Sequence, residues 1–160
     1  MSELIVRTAT EHDLVAVNRL LVETWHDTYD SLLGAEKVTQ ITTAWHAIAK
    51  LAEQIAAPDS SFLIAEEKDI IIGHAVGHVR PHHAMMLARL YVLPAHQRRG
   101  IGARLLTDLV ARQPGCVRIV ADVEPDNVKA VSFYRRQGFI VESEGSIEGM
   151  KTFRMAKALS

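Results

Sequence analysis

Leu90-Tyr91-Val92-Leu93-Pro94, then Gln97-Arg98-Arg99-Gly100-Ile101-Gly102, then a helical stripe of Ile101, Leu105, Leu106, Leu109 and Val110: this run of strand, basic turn and helix decides how the rest of the chain is read. The first turn of a helix leaves backbone N–H groups without intrahelical partners, and the macrodipole adds partial positive charge there. Anions bind at such ends. Gly100 and Gly102 let the backbone itself come close, while Arg98 and Arg99 add formal charge to the amide dipoles. A ligand carrying several phosphates is therefore favoured over a single carboxylate, and the turn reads as a pyrophosphate clamp.

Two other glycine motifs are excluded. A P-loop ends in Gly-Lys-Ser/Thr, and the dinucleotide fingerprint needs three spaced glycines with an acidic residue about 20 positions on. Neither pattern is here. Gln97 to Gly102 instead matches Gln/Arg-x-x-Gly-x-Gly/Ala, and a second block follows: Asp126-Asn127, then Phe133-Tyr134-Arg135-Arg136-Gln137-Gly138-Phe139. In order and spacing these blocks closely resemble the GCN5-related N-acetyltransferases, the GNAT family. The resemblance runs from about Leu4 to Leu159 and is specific from Met85 to Phe139.

Working outward, Leu4–Arg7 is short and β-prone, and Thr8-Ala9-Thr10 offers caps for a helix from Glu11. Leu14, Val17, Leu20, Leu21, Thr24, Trp25 and Thr28 recur at helical spacing until Gly34. A second helical region is expected from Lys37 to Ala57, ended by Pro58-Asp59. The period then becomes that of strands: Phe62–Ala65, a turn at Glu67-Lys68-Asp69, Ile70–Val79, and Met85–Leu93 after Pro81-His82-His83. Gln113-Pro114-Gly115 ends the helix after the clamp, Val117–Val123 is a strand, and Val128–Gln137 is a helix with Gly138 at its C-terminal end. Strands at Phe139–Ser143 and Thr152–Ala158 finish the chain, with Gly145–Met150 between them.

This order is α+β. The resemblance implies the family's three-layer acyl-CoA fold, a mixed central sheet of about seven strands with helices on both faces. Length fits one N-acetyltransferase domain over residues 1–160. Hydrophobic residues at 48% and charged residues at 23% are those of an ordinary globular chain. A net charge of -1 gives no general attraction to nucleic acid or an anionic membrane, so neither is an expected partner. Cys116, the single cysteine, fits a reducing compartment, and the first residues, Met1-Ser2-Glu3-Leu4, lack the regions of a signal peptide. The expected location is the cytoplasm.

The resemblance implies acetyl transfer from acetyl-CoA, the cofactor acting as acetyl donor, to an amine by direct attack in a ternary complex. It implies that the backbone of Gln97, Arg98, Arg99, Gly100, Ile101, Gly102 and Ala103 holds the diphosphate. Main-chain groups of Leu90, Tyr91 and Val92 would meet the pantetheine arm, where Pro94 splays the strand. Asn127 is similar to an asparagine that bonds that arm, and also reads as a helix cap. Arg136 is a further candidate for the phosphates, and an exposed helical arginine on the other reading. Tyr134 stands at the family's tyrosine, the expected general acid, whose phenol of pKa about 10 can protonate a leaving thiolate.

The proton acceptor is where the sequence departs from the family. Many relatives carry a glutamate in a run like Glu-Arg-Leu-Tyr-Val, and here Ala88 begins Ala88-Arg89-Leu90-Tyr91-Val92. His78, His82, His83, Glu23, His26 and Asp27 remain open as candidates. No metal is expected: His74 and His78 share a strand face about 13 Å apart, and adjacent His82-His83 is no ligand spacing.

Trp25-His26-Asp27-Thr28-Tyr29 falls where the family's variable helices overhang the acceptor, and resembles members that acetylate small amines, including polyamines. A small-molecule amine is thus the expected acceptor. A peptide N-terminus, or a non-catalytic acyl-CoA-binding role, is the alternative. Relatives that pair through terminal strands make a homodimer an expectation by resemblance alone.

Overall fold

A computed structural model describes residues 3–147 and 149–159; Met1, Ser2, Glu148 and Ser160, which the sequence reading places in the N-terminal segment, the last connection and the C-terminal end, lie outside the described residues. Seven strands form one sheet: β1 (Leu4–Thr8), β2 (Ser60–Glu67), β3 (Ile70–Arg80), β4 (Ala84–Val92), β5 (Arg118–Val123), β6 (Ile140–Ile147) and β7 (Met150–Ala158). Their order is β1-β2-β3-β4-β5-β7-β6. The β4–β5 pair is parallel and the other neighbours are antiparallel. A parallel pair needs a crossover. Helix α4 (Ile101–Ala111) supplies it.

Strand residues alternate between two layers, as the period-2 pattern requires. Leu63, Ala65, Met85 and Leu87 face Leu105 and Leu109 of α4 and Tyr134 of α5 (Val128–Arg136). Phe62, Ile64 and Val76 face the other way, onto Leu14, Val17, Leu20 and Leu21 of α1 (Leu14–Leu33) and Leu51 of α3 (Ile48–Ala56). Helix α2 (Ala35–Trp45) places Val38 with Trp25 and Tyr29 of α1. The sheet is therefore mixed, α+β in class, and covered on both faces.

Three boundaries differ from the sequence reading. The expected helix Lys37–Ala57 is two helices, broken where Ala47 turns extended (φ -57, ψ 142). Buried His46 sits there against the Trp25 ring, at 5.7 Å, and its carbonyl accepts Asn18 Nδ2–H at 2.8 Å. The break is a tertiary effect with no Gly or Pro to announce it. Strand β6 continues to Ile147, through residues expected to be loop, because an exposed edge strand shows no apolar alternation.

The third difference positions the site. Pro94 is not what splays the strand, since it lies in a 3₁₀ turn beyond the end of β4. Pairing of β4 with β5 stops at Leu87↔Ala121, and in the β3–β4 ladder the register jumps from Gly77↔Leu87 to Val76↔Arg89. Ala88 is thus a β-bulge, an extra residue that bends a strand and breaks its pairing. It also reverses parity. Before it, Met85 and Leu87 face the α4 layer; after it, Leu90 and Val92 do so, and Tyr91 packs with the α1 layer.

Candidate active site

The bulge leaves Arg89–Val92 and Asp122–Val123 as the walls of a gap between two strands that began as neighbours. At its end the chain enters the basic turn. Gln97 donates Nε2–H to the Val92 carbonyl at 3.0 Å, pinning the turn to β4. Arg98 (φ 64) and Gly100 (φ 80) both adopt left-handed backbone, and Gly100 is the N-cap of α4. The hydrogen bond entering α4 at its start is Arg104 N–H to Gly100 O at 3.0 Å, and among the described residues the amides of Arg98 to Ala103 find no acceptor. Converging free N–H groups at the positive end of a helix suit a diphosphate.

The side chains of the turn divide. Arg98 is exposed and has no hydrogen-bond partner among the described residues. Arg99, expected to supplement it, is turned toward the β2–β3 hairpin: its Nη2 lies 2.6 Å from Glu67 Oε2 and its Nη1 2.8 Å from His96 Nδ1. A Cβ at Gly100 would meet nothing within 4 Å, so this glycine is needed for its φ; at Gly102 a Cβ would stand 3.3 Å from Phe133 Cε1, so that glycine lets α4 pass α5. Ile101 is buried in the core, and Gly102 and Ala103 are half-buried. Arg136 is exposed on α5.

Three phenols stand around the gap. Tyr134 packs edge-on to Phe133 and Phe139, with centroids 5.3 and 5.1 Å away, and burial pushes its phenol well above the usual range, helped by Tyr91 and Tyr29. Tyr29 is raised by burial too, and its oxygen accepts Asn127 Nδ2–H at 3.2 Å. Asn127 Oδ1 in turn accepts Ala130 N–H at 3.2 Å, so the asparagine caps α5 and ties it to α1 at once. Trp25 Nε1–H donates to the Tyr91 oxygen at 3.2 Å, and the Trp25 ring lies 4.5 Å from Tyr29 and 5.5 Å from Trp45.

Three of the earlier candidates for a base, His82, His83 and Glu23, lie elsewhere. His82 and His83 are exposed in the β3–β4 turn, at the end where β4 still pairs with β5. His26 Nδ1 is 2.6 Å from Asp30 Oδ1. Glu23 lines a groove of about 760 Å³ beside the β2–β3 hairpin that contains neither the clamp nor the phenols. What sequence reasoning missed is Glu124, one residue beyond β5, whose Oε1 is shut off from solvent with no partner. Burial, then Asp126, raises its carboxyl above the usual range. No pattern of residues signals such a group, because its isolation is created by packing in the folded chain. No group of three or more His, Cys, Asp or Glu among the described residues is arranged to hold a metal.

A gap in a sheet that opens beside free helix-end amides, with a protonated phenol at its wall, has the chemistry of a coenzyme A-dependent acyltransferase. Comparison with known proteins narrows this. The sequence model of the Acetyltransferase (GNAT) family matches residues 18–139. An uncharacterized N-acetyltransferase of Mycobacterium tuberculosis is 28% identical over 125 residues, 77% of this chain and 76% of that one. The L-methionine sulfoximine/L-methionine sulfone acetyltransferase of Salmonella typhimurium is 32% identical over 95 residues, 56% of each. In fold, the PaiA N-acetyltransferase of Thermoplasma acidophilum in complex with coenzyme A superposes with a TM-score of 0.88 over 98% of this chain and 99% of that one, at 24% identity. The chain belongs to the GNAT acetyltransferase family, and its reaction is N-acetylation with acetyl-CoA as donor.

Proposed function

We propose that this enzyme acetylates the primary amine of a small molecule, by direct attack of that amine on the thioester with donor and acceptor bound together. The observation that carries it is the juxtaposition of the free amides of Arg98–Ala103 with a strand gap walled by Tyr91 and Tyr134. The clamp amides hold the diphosphate, Arg98 and Arg136 add charge, and the open edge of Leu90, Tyr91 and Val92 aligns the pantetheine arm. A main-chain N–H there polarises the carbonyl. Tyr134, kept protonated by its burial, donates to the departing thiolate. Asn127 acts by tying α5 to α1.

A small acceptor is favoured by the aromatic cluster of Trp25, Tyr29 and Tyr91 on the α1 side of the gap. It is supported by the Salmonella relative, named for amino-acid analogues. The same reading has one catalytic domain over residues 1–160, acting in the cytoplasm and pairing with a second copy through its terminal strands. No helix among the described residues is long and apolar enough to cross a membrane.

The test is thiol release from acetyl-CoA with a panel of amino acids, alkylamines and polyamines beside peptides with free N-termini. Turnover by small amines is expected. Turnover by peptides alone overturns the choice of acceptor, and tight coenzyme A binding without turnover by any amine makes the protein a sensor.

A further inference from the structure

Among the described residues, the polar groups that close around the gap are largely paired. Tyr29 accepts from Asn127, Tyr91 accepts from Trp25, and the Asp122 carboxylate at the end of β5 holds Arg154 at 2.9 Å. Glu124 has no such partner. Its backbone is fixed, with its carbonyl accepting Asn127 N–H at 3.0 Å, and Oε1 is enclosed without a donor. No Lys or Arg among the described residues forms an ion pair with it. An enclosed carboxylate oxygen without a donor costs roughly 1–3 kcal/mol and more when charged, so a fold retains one where a ligand completes it.

Its place follows from its neighbours. Glu124 comes directly after Val123 at the β5 side of the gap, and the Asn127 whose N–H its carbonyl accepts holds the Tyr29 oxygen through Nδ2–H. Tyr29, Tyr91 and Asp126 are the titratable groups that feel its charge. Glu124 therefore stands at the β5 side of the gap opened by the Ala88 bulge, beside the Asn127–Tyr29 pair.

We propose that Glu124 is the catalytic proton acceptor for the substrate ammonium, taking the place of the strand glutamate that Ala88 lacks, and that it selects a cationic amine as acceptor. This rests on the acetyltransferase reading and assigns its missing base. The carboxylate accepts one proton from the ammonium and later releases it to water. The freed lone pair forms the C–N bond as the C–S bond breaks. Tyr134 gives its proton to the thiolate and recovers one from the nitrogen, which must lose a second proton to become an amide. The sum is one acetamide, one thiol and one proton released. A carboxylate raised by desolvation is better matched to this task than an exposed one.

The test is Glu124→Gln in the full chain, with Glu124→Asp beside it. With whichever amine of the panel turns over, Gln lowers kcat/KM for the amine by about 10²–10⁴-fold, removes the acidic limb of the pH profile and leaves coenzyme A affinity unchanged; Asp restores part of the rate. An unchanged rate or an unchanged acidic limb overturns the assignment while the acetyltransferase reading stands.

A second readout needs no acceptor. A carboxylate whose folded pKa is raised destabilises the fold once pH exceeds its unfolded value, and does so fully above the folded one. Glu124→Gln should therefore raise Tm at pH 7.5, with the gain gone at pH 3.5. A loss of stability at both pH values makes Glu124 a structural group and overturns the proposal.

Discussion

The guanidinium of Arg89 donates Nε–H to Nε2 of His74 at 3.2 Å, which obliges His74 to carry its proton on Nδ1, and that nitrogen donates to the Leu63 carbonyl at 2.8 Å. Arg89 is 7% exposed, also donates to Gln54, and lies 5.7 Å from the Phe62 ring centroid. No carboxylate among the described residues pairs with it. Burial, with the nearby Arg89 charge, holds His74 down to about 3, and the same two causes hold His46 down to about 4. Both histidines are neutral in the native enzyme.

Because their folded values lie below the unfolded value of about 6.5, these histidines contribute stability that is present above that pH and lost as pH falls toward 4. Tm should drop between pH 7 and pH 5, ahead of the main titration of the carboxylates. Replacing buried His46 by Gln should flatten that limb in a thermal scan across pH.

His74→Ala removes the acceptor of a buried guanidinium and leaves a cavity where no solvent reaches. We expect a loss of about 3 kcal/mol or more in urea unfolding. His74→Gln, which keeps an acceptor, should lose less.

Arg7 and Asp13 form an ion pair at 2.8 Å that closes the start of α1 on β1, and Asp13 also accepts Thr10 N–H at 2.7 Å. The Arg7 bond holds the Asp13 carboxyl down to about 2. Its stabilisation is therefore present above the unfolded value and disappears as pH falls through about 2. With Arg7 partly exposed, Asp13→Asn should cost about 1 kcal/mol at pH 7 and nothing near pH 2 by denaturant titration.

The two glycines of the clamp should fail differently. Gly100→Ala has room for its methyl but must hold φ +80, a strain of about 1–2 kcal/mol that unfolding will register. Gly102→Val drives a branched side chain against Phe133, 3.3 Å from the first added carbon, and so disturbs α5 and Tyr134. Calorimetry with coenzyme A should show weaker binding for both, with kcat falling further for Gly102→Val.

Tyr134→Phe keeps the ring packed between Phe133 and Phe139 and deletes only the proton donor. Turnover should fall about 10²-fold with coenzyme A affinity within a factor of two. Burial holds the phenol protonated well into alkaline pH, so the wild type should show no alkaline limb from this group below pH 10.

The turn into α4 was legible because its signals are local: Gln97, Gly100 and Ile101 are read in a row, and the helix begins where the glycine must turn. The succession of strands and helices along the chain followed from periodicity in Phe62–Val79 and Leu105–Val110, and the two covered faces from the family resemblance, whereas the order of strands across the sheet came only with the structure. The rest depends on what meets across the fold. Arg99 read as a phosphate ligand until β2 and β3 placed Glu67 beside it. The break at His46 answers to Trp25 and Asn18, and Ala88 carries no mark of a bulge in its side chain. Glu124 is an ordinary surface residue in the sequence, and only its enclosure in the folded chain makes its carboxylate unusual.

The extra alanine on β4 has a consequence for how this chain can vary. Trimming it would make the ladder continuous, Gly77↔Leu87 running straight on to Val76↔Arg89, so that Arg89 keeps its place beside His74 and Tyr91 its indole partner, while the bend that parts β4 from β5 is lost. Substitution at that point is easily absorbed, whereas deletion would straighten the strand and let its pairing with β5 run on past Leu87, closing the gap, so what matters there is a residue count and not a residue type.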